Sequence, residues 1–450
     1  MADLATFIKG DIVTPNDADY PQAIARWAVN AERRAKIVAF VKDTEDVALA
    51  LKYARANDLP IAIRGGGHSA AGASSSENGL VIDLSRHING ARIDPDKKLA
   101  YVGGGALWDV VDKEAIKHGL ATVAGTTGVG GLILGGGYGW LTAKHGLAID
   151  NLVQATLVTA DGSVVTASDT ENPDLFFAIR GGGSNFGVAT EFVLRLHPQR
   201  ATVYHGALVF PPTILEKIVE VTAKWWANVG ENEGMFQMLG LGPDGNPAIV
   251  LFVFYNGSEE EGRANYKPFF DLGPVVDLTK EIPYENVNAA LNTAMAHGKG
   301  VYQKGFSNDK SEYQSIAKAY EKIISISSPE FQVKLMLEYV PIGKVISVPQ
   351  NVTAFRRDSA PLAVILILWT KDAEGATEHA RSIARDLSRT VAGGELTQLQ
   401  NFGYANYDPE AVTGHSAQIA YGESYPRLQA IKKRYDPDNI FNKWFAITPA

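Results

Sequence analysis

Residues 59–69 read LPIAIRGGGHS, a short β-rich run that ends in three glycines, a histidine and a serine. Glycine is costly in chain entropy, so a run of it at a strand end is typical of positive φ angles or of backbone that approaches something bulky. Three more clusters follow: GGG at 103–105, GVGGLILGGGYG at 128–139 and RGGGSNFG at 180–187. Any one of them could be a tight turn. Four in order indicate a binding site, because successive exposed N–H groups form a concavity for a pyrophosphate.

The clusters do not match the common nucleotide motifs. None is followed by the strand–GxGxxG–helix–acid pattern of a Rossmann unit, and none has the GxxxxGK[ST] of a P-loop. His68 lies inside the first cluster. A lone histidine near a strand end is more often a hydrogen-bonded structural group than a chemical one. An imidazole on a glycine loop can nevertheless approach a planar ring closely, as attachment to a flavin methyl group needs.

Composition narrows the function further. The chain has 450 residues, 46% of them hydrophobic, a mean hydropathy of −0.06 and a net charge of −8. These values predict a globular protein and give no reason to expect nucleic acid as a partner. The absence of cysteine excludes disulfides, thiolate nucleophiles, cysteine-bound metals and one known way of linking a flavin. We predict no metal site, since four scattered histidines lack ligand spacing: His145, His205, His297 and His415.

The N-terminus and the apolar runs were searched for a secretory signal and a membrane span, which would indicate where in the cell the protein lies. The first residues, MADLATFIKGDIVTPND, carry acids and a glycine where a secretory signal needs a basic start and an apolar run. The longest apolar run, Leu362 to Trp369, has the length of a strand and not of a membrane span. We expect a cytoplasmic protein without membrane contact, and the oligomeric state stays open.

The pattern of predicted helices and strands changes near His197 and Pro198. Before that point, helical and strand patterns alternate: a helix over 44–58, strands over 59–64, 79–84 and 99–102, a helix over 107–118, and a hairpin over 152–166. After it come longer strand-like runs at 248–255, 331–340 and 362–370. Helical segments around 214–228, 309–325 and 375–391 separate them, and a last helix spans about 424–435. This predicts an α+β module in which helices cover one face of an antiparallel sheet.

Several ordered segments together resemble a known family. They are residues 64–69, GLVIDLS at 79–85, 128–139 followed by KHGLAIDNL at 144–152, PDLFFA at 173–178, and 180–187. In the C-terminal part, YGESY at 421–425 and YDPDNIF at 435–441 continue the likeness. The chain resembles the vanillyl-alcohol oxidase/para-cresol methylhydroxylase superfamily, and within it the berberine-bridge-enzyme and 6-hydroxynicotine-oxidase branch.

The resemblance implies a fold class and a domain order. We expect an α+β protein with a two-subdomain FAD-binding module of the para-cresol methylhydroxylase type over residues 1–200, whose core spans about 30–198. An antiparallel-sheet substrate domain covered by helices would occupy 201–403. A C-terminal segment, 404–450, would return to the FAD domain.

The resemblance also implies a cofactor and the residues that bind it. The histidine of this loop carries FAD through the flavin 8α carbon in the family, and that position is His68. A second link in many plant relatives uses a cysteine where this chain has Ala124, so attachment through a single histidine is expected. The other expected cofactor contacts are Arg64, Gly65, Gly66, Gly67 and Ser69 in the first loop, Gly136, Gly137, Tyr138 and Gly139 opposite, and Asp150, Asn151, Gly183 and Val188 toward the adenosine end. Asn439, in the C-terminal signature, is a further expected contact.

Three catalytic residues are carried over from the segment YANYD at 404–408 and from YQKGF at 302–306. Tyr407 matches a position that serves as a general base in some relatives, and Asn406 would hydrogen-bond near the flavin. A free phenol has a pKa of about 10, so this role needs a nearby cation, which Lys304 would supply. The alternatives are a buried structural tyrosine and a solvated lysine. Four aromatic residues are candidate pocket liners: Trp369, Phe252, Phe254 and Tyr339.

The implied activity is an FAD-dependent oxidase. It would take a hydride from a C–H bond next to oxygen or nitrogen in a small aromatic, alkaloid-like or secondary-metabolite substrate, with O2 as electron acceptor and hydrogen peroxide as product. Small residues at Thr126 and Thr127 favour access of oxygen. A carbohydrate oxidase, a dehydrogenase with another acceptor, a cyclase of secondary metabolism and a non-catalytic flavin protein are the alternatives. Substrate screening for flavin bleaching separates them.

Overall fold

The computed structural model describes residues 4–290, 292, 297–308, 312–357, 362–370, 375–408 and 417–450. In these ranges helices and sheets are mixed, with mostly antiparallel strand pairs, and the predicted α+β class is confirmed. No helix in the described ranges has the length and apolar character needed to cross a membrane. The cytoplasmic location stays a prediction.

The first 198 residues form two main sheets. A four-stranded sheet has the order β1-β2-β4-β3, in which β2, β4 and β3 run parallel. A five-stranded antiparallel sheet has the order β5-β6-β10-β8-β9, and β7 pairs with β11. The strands are β1 (Asp11–Val13), β2 (Ile37–Phe40), β3 (Ile61–Arg64), β4 (Leu80–Asp83), β5 (Ala91–Asp94), β6 (Leu99–Gly103), β7 (Leu120–Ala121), β8 (Leu152–Val158), β9 (Val164–Ser168), β10 (Val188–Arg195) and β11 (His197–Pro198).

Six helices connect these strands. The helix that precedes β3 is capped by Asp43, whose carboxylate accepts a hydrogen bond from the Asp46 amide at 3.0 Å. It packs its apolar face, including Val47 and Leu51, into the core of the four-stranded sheet. The helices are α1 (Tyr20–Ile24), α2 (Thr44–Ala56), α3 (Trp108–Ile116), α4 (Val129–Leu134), α5 (Thr142–His145) and α6 (Pro173–Ile179).

Residues 202–391 contribute an eight-stranded sheet with the order β15-β12-β14-β13-β18-β19-β17, while β16 also pairs with β12. The strands are β12 (Thr202–Phe210), β13 (Glu233–Leu241), β14 (Pro247–Tyr255), β15 (Val276–Asp277), β16 (Lys280–Pro283), β17 (Gly300–Ser307), β18 (Phe331–Tyr339) and β19 (Leu362–Trp369). The helices are α7 (Leu215–Trp226), α8 (Glu259–Asn265), α9 (Lys267–Phe270), α10 (Tyr313–Ile326), α11 (Gly343–Ile346) and α12 (Ala376–Val391).

The two faces of this large sheet have different partners. Alternate strand residues such as Leu335 and Ile365 pack in one core with Ile316 of α10 and Leu387 of α12. The other face turns toward the first 198 residues, where Phe236 and Phe254 stack on Trp140 at 4.4 Å and 5.2 Å between ring centroids. A strand alternates its side chains between faces, so each strand contributes both to the helix-covered core and to the junction.

A side chain joins the edge strand β17 to the N-terminal part. The Asn30 amide donates to the Val301 carbonyl at 3.1 Å and accepts from the Val301 amide at 2.8 Å, as a neighbouring strand would. The Val29 amide adds a hydrogen bond to the Lys299 carbonyl at 3.0 Å. Together these bonds fix the edge of the large sheet against residues that precede the first glycine cluster.

The C-terminal residues pack back onto the first part of the chain, through α13 (Gln398–Phe402), α14 (Ala417–Tyr421) and α15 (Tyr425–Tyr435). Lys432 and Asp436 are fully buried and pair at 2.6 Å. The Lys432 ammonium also donates to the carbonyls of Asn185 and Phe441, both at 2.7 Å. Asn185 lies in the fourth glycine cluster, and its Oδ1 accepts from the Ile447 amide at 3.1 Å. The segment that resembled the family's C-terminal signature therefore anchors the end of the fold.

Most predicted elements lie within two residues of the observed ones, including α2, α12 and the β8–β9 hairpin. Four strands of eight or nine residues were missed: β10, β12, β13 and β17. Each of them contains glycine or polar residues within its apolar pattern, which weakens the periodicity that predicts a strand.

Replacing Lys432 by methionine should lower the stability of the fold by about 3 to 5 kcal/mol, because it leaves the Asp436 carboxylate buried without its cation. The expected result is a lower Tm in a thermal melt. The matched control is K267M, which removes an exposed pair with the same i,i+4 spacing, Lys267 with Asp271. Surface pairs contribute about 0 to 1 kcal/mol. Equal Tm changes in the two variants would contradict the structural role assigned to Lys432.

Candidate active site

The glycine clusters meet backbone to backbone. A Cβ on Gly66 would lie 2.8 Å from Gly128 Cα, and one on Gly65 would lie 2.9 Å from the Gly104 carbonyl oxygen. The first three clusters therefore approach one another more closely than any side chain would permit. The fourth joins them at the end of α4, where the Leu134 carbonyl accepts from the amides of Gly181 and Gly183 at 3.1 Å and 3.0 Å.

The loop after β3 presents a row of unused donors. Within the described part of the chain, no oxygen accepts from the backbone amides of residues 66–69. Gly67 has a φ of +70°, a conformation that favours glycine. Ser74 and Ser75, a few residues further on, bury their hydroxyl oxygens without a hydrogen-bond partner in the described chain. Free amides and unpartnered hydroxyls of this kind suit a phosphate-bearing ligand. The residues therefore fit the dinucleotide cofactor that the sequence predicted.

His68 follows these glycines and is half-buried. Its imidazole stacks on the Trp27 indole with 3.9 Å between ring centroids and 10° between the planes. Burial, with a smaller contribution from His297, lowers the pKa of His68 to about 4. The ring is therefore neutral at physiological pH, with a nitrogen lone pair available to form a bond.

The third cluster is held by the C-terminal segment. The Gly137 amide donates to the Tyr404 hydroxyl oxygen at 2.9 Å, and the Asn406 amide donates to the same oxygen at 2.7 Å. A Cβ on Gly135 would collide with the Asn406 side chain. Asn406 therefore lies against the cluster that contains Gly136, as expected for a residue near a bound flavin, although a flavin contact stays a prediction.

Tyr407 extends this chain of contacts to the large sheet. Its ring meets Tyr404 edge-on at 5.0 Å, and its hydroxyl donates to Glu338 Oε1 at 2.9 Å. Burial is the main cause that raises the pKa of Glu338 to about 7. Burial and the Glu338 carboxylate raise the pKa of Tyr407 well above its ordinary value. A phenol with an acidic neighbour does not ionise readily, so the expected arrangement of Tyr407 beside a cation differs from the one observed.

Lys304 explains that difference. Tyr302 and Phe306 on the same strand pack in the helix-covered core, so Lys304 between them points to that face too. Its ammonium lies 3.7 Å from Asp408 Oδ2, and both side chains are nearly buried. Gly305 points the other way and contacts Tyr407. The structure thus pairs Lys304 with Asp408, and a catalytic role for Lys304 stays a prediction that this geometry does not favour.

Three predicted cofactor residues have their polar atoms engaged by the protein. Arg64 pairs with the buried Asp83 at 3.0 Å. Asp150 pairs with Arg357 at 2.6 Å. The Asn151 amide donates to the His145 and Leu147 carbonyls. These bonds hold the loops around the glycine clusters, and direct cofactor contacts from Arg64, Asp150 and Asn151 stay predictions.

The residues expected at the adenosine end, together with Asn439, are spread over a wider region. Gly183 contacts Trp444, and Val188 is fully buried in β10 opposite Val158. Asn439 lines a separate surface cavity of about 420 Å³, together with Pro60. Pro60 precedes β3 while His68 follows it, so Asn439 lies toward the opposite end of that strand. The structure does not bring Asn439 to the clustered glycines.

The predicted pocket liners divide between the two sheet faces. Trp369 and Tyr339 lie in the helix-covered core, so their assignment as liners is wrong. Phe254 packs on Trp140 at the junction, and Phe252 shares its face of β14 and is half-buried. In the described ranges no three His, Cys, Asp or Glu side chains lie together as metal ligands. His415, one of the four scattered histidines, falls outside the described residues.

Sequence reasoning missed three residues of this site: Trp27, Tyr404 and Glu338. Glu338 had a signal, since an acid in the apolar run VKLMLEYV at 333–340 is unusual for a buried strand. Trp27 had none, because its importance depends on contacts over long sequence separations. Tyr404 begins the segment YANYD, but its hydrogen bond with Gly137 joins residues 267 positions apart and has no local signal.

Comparison with known proteins shows the family to which the chain belongs. Residues 35–168 match the family model for an FAD binding domain, and residues 403–447 match the one for berberine and berberine-like proteins. The chain is 34% identical to the FAD-linked oxidoreductase pgmH of Aspergillus terreus, over 99% of this chain and 95% of that one. It is 31% identical to (R)-6-hydroxynicotine oxidase of Paenarthrobacter nicotinovorans, over 98% and 97%.

Solved structures agree in fold. The crystal structure of 6-hydroxy-D-nicotine oxidase from Arthrobacter nicotinovorans covers 98% of both chains with a TM-score of 0.88 and 30% identity. Chitooligosaccharide oxidase has a TM-score of 0.82 at 21% identity, over 99% of this chain and 98% of that one, which shows the fold alone.

Replacing Gly66 by alanine should separate the first and third clusters, because the new Cβ would meet backbone that cannot rotate away. The expected result is a loss of about 1 to 3 kcal/mol in stability and a lower flavin-to-protein absorbance ratio after purification. G90A is the matched control, since a Cβ there meets nothing within 4 Å. A normal absorbance ratio in G66A would show that the close approach is dispensable for the cofactor.

Proposed function

This chain belongs to the berberine-bridge-like family of FAD-linked oxidoreductases, and we propose that it is an oxidase of small organic molecules. The superfamily resemblance seen in the sequence is confirmed, and with it the FAD-binding module of the para-cresol methylhydroxylase type. When bound, FAD would supply a hydride acceptor at N5 and an electron path to O2, with hydrogen peroxide as the product. The tasks left to the protein are to hold the cofactor, orient the substrate and move a proton.

The observation that carries the proposal is the hydrogen bond from Tyr407 to Glu338. When hydride leaves a carbon next to an O–H or N–H group, that group must lose a proton. The Tyr407 oxygen can accept it while its own proton passes to Glu338. A carboxyl whose pKa is raised to about 7 is suited to this exchange near neutral pH. Glu338 is thus the proposed proton acceptor and Tyr407 the relay.

The surroundings of Glu338 support a small, largely apolar substrate. Its cross-strand neighbours are Phe236 and Leu362, whose side chains share its face of the sheet. One carboxyl among apolar groups can pair with a single N–H or O–H group. A carbohydrate needs many polar partners, so this arrangement favours an aromatic or alkaloid-like molecule with one ionisable nitrogen or hydroxyl. The likeness to (R)-6-hydroxynicotine oxidase supports the same class of substrate.

The proposal includes covalent FAD on His68. Support comes from the neutral, half-buried imidazole at the end of the free-amide loop. With Ala124 in place of the cysteine of plant relatives, a single link is proposed.

Replacing Glu338 by glutamine should lower kcat/KM by about 10²- to 10⁴-fold, since the proton acceptor is lost. The unmodified protein should gain activity as the pH rises through about 7, because Glu338 must be ionised to accept a proton. In E338Q this rise of activity with pH should be absent. Stopped-flow flavin reduction across pH 5 to 9 measures both effects.

E330Q is the control for this variant, because Glu330 lies just before the same strand and is exposed. If E338Q kept the full rate and the same pH profile, the proposed relay would be wrong. The substrate panel comprises N-heterocycles, amines, phenolic alcohols and oligosaccharides. Bleaching by oligosaccharides alone would favour a carbohydrate oxidase, and slow reoxidation of the reduced protein in air would favour a dehydrogenase.

Acid-precipitated protein should stay yellow, because the flavin is bonded to the chain, whereas H68A should release all of its flavin to the supernatant. Absorbance of the pellet and intact mass measure the link. A colourless pellet from the unmodified chain would refute covalent attachment while leaving FAD binding and the oxidase proposal standing.

A further inference from the structure

The contact between Trp27 and His68 has a geometry that general packing does not require. The two rings are parallel within 10° at a centroid distance of 3.9 Å. The Trp27 backbone is tied to the same loop, since its amide donates to the Gly67 carbonyl at 3.2 Å. Trp27 is 1% exposed, so the indole cannot turn away from the imidazole into solvent.

The large sheet holds the indole in this position. Trp27 packs in one buried cluster with Val301 of β17 and with Leu366 and Leu368 of β19. The hydrogen bonds of Asn30 with Val301 and of Val29 with Lys299 fix the backbone just after Trp27. The orientation of Trp27 is therefore set by residues about 270 to 340 positions further along the chain, at the edge of another sheet.

The imidazole of His68 has no comparable restraint of its own. Among the residues that the structure describes, none makes a hydrogen bond with its ring nitrogens. The three glycines before it limit its backbone only weakly. A histidine without hydrogen bonds can rotate about both side-chain torsions, so the indole stack is the contact that selects one ring plane.

We infer that Trp27 is a positioning residue for cofactor attachment, holding the His68 imidazole in the plane from which a ring nitrogen bonds to the flavin 8α carbon. The inference rests on the proposed covalent link at His68. In that reaction one C8α–H and one imidazole N–H bond break and a C8α–N bond forms. Two protons and one electron pair are released, and bound FAD would pass them to O2, giving hydrogen peroxide. The role of Trp27 is to hold the imidazole in a reactive orientation. Restricting the rotation of a reacting group accelerates bond formation.

The matched variants separate ring stacking from packing. W27F keeps a flat ring that can stack, while W27L keeps an apolar side chain without one. W225L makes the same change at Trp225, a buried tryptophan in the helix-covered core far along the chain from the loop. Each full-length chain is produced in flavin-starved cells, mixed with FAD in air, and quenched in acid at intervals. Flavin fluorescence of the denatured band in a gel reports the linked fraction.

We expect W27L to link FAD at least about tenfold more slowly than the unmodified chain, and W27F to restore most of the rate. W225L should lower Tm but link at the normal rate. The dissociation constant for FAD in the H68A and H68A/W27L backgrounds should agree within about twofold, because the indole orients the histidine and not the phosphates. This constant does not depend on enzymatic activity.

Two results would overturn the inference. Linking at the normal rate in W27L would show that the stack is dispensable, and equal slowing in W27F and W27L would show that lost volume matters and not the ring. Neither result touches the link itself. If the unmodified chain formed no acid-stable flavin, the proposed link would fail, and this inference would fail with it.

Discussion

The close approach of Gly66 to Gly128 is the constraint on which the rest of the site depends. It brings the loop after β3 against the start of α4, and a methyl group on Gly66 would lie only 2.8 Å from Gly128 Cα. With the loops in contact, the free amides of residues 66–69 lie beside the start of α4, and the third cluster lies against Tyr404 and Asn406. Glycine is present at both positions because backbone must meet backbone, and neither residue has a positive φ.

The large sheet contributes to the site at two positions. Leu368, near one end of β19, packs on Trp27, and Leu362 at the other end is the cross-strand neighbour of Glu338. They are six positions apart along the strand, about 20 Å at roughly 3.3 Å per residue. Strand β19 therefore contacts both the residue that stacks on His68 and the proposed proton acceptor, Glu338.

Local patterns were sufficient for much of the fold, because helices such as α2 carry their own caps and periodicity. The glycine clusters and His68 were also visible, since each is a short run of adjacent residues. What could not be predicted is which polar groups satisfy each other across the chain. Lys304 was expected beside Tyr407, but a strand residue one position away from Gly305 faces the opposite side. The Tyr407–Glu338 bond and the Trp27–His68 stack join residues whose separations carry no local signal.

The buried contacts of Lys432, Asp436 and Asn185 have a consequence for the order of events during synthesis. Asn185 leaves the ribosome some 250 residues before Lys432 and Ile447, and its partners do not exist until then. A chain elongates at about 5 to 20 residues per second, so the fourth glycine cluster waits on the order of tens of seconds for its anchor. The fourth glycine cluster can therefore take its final packing only after translation has nearly finished.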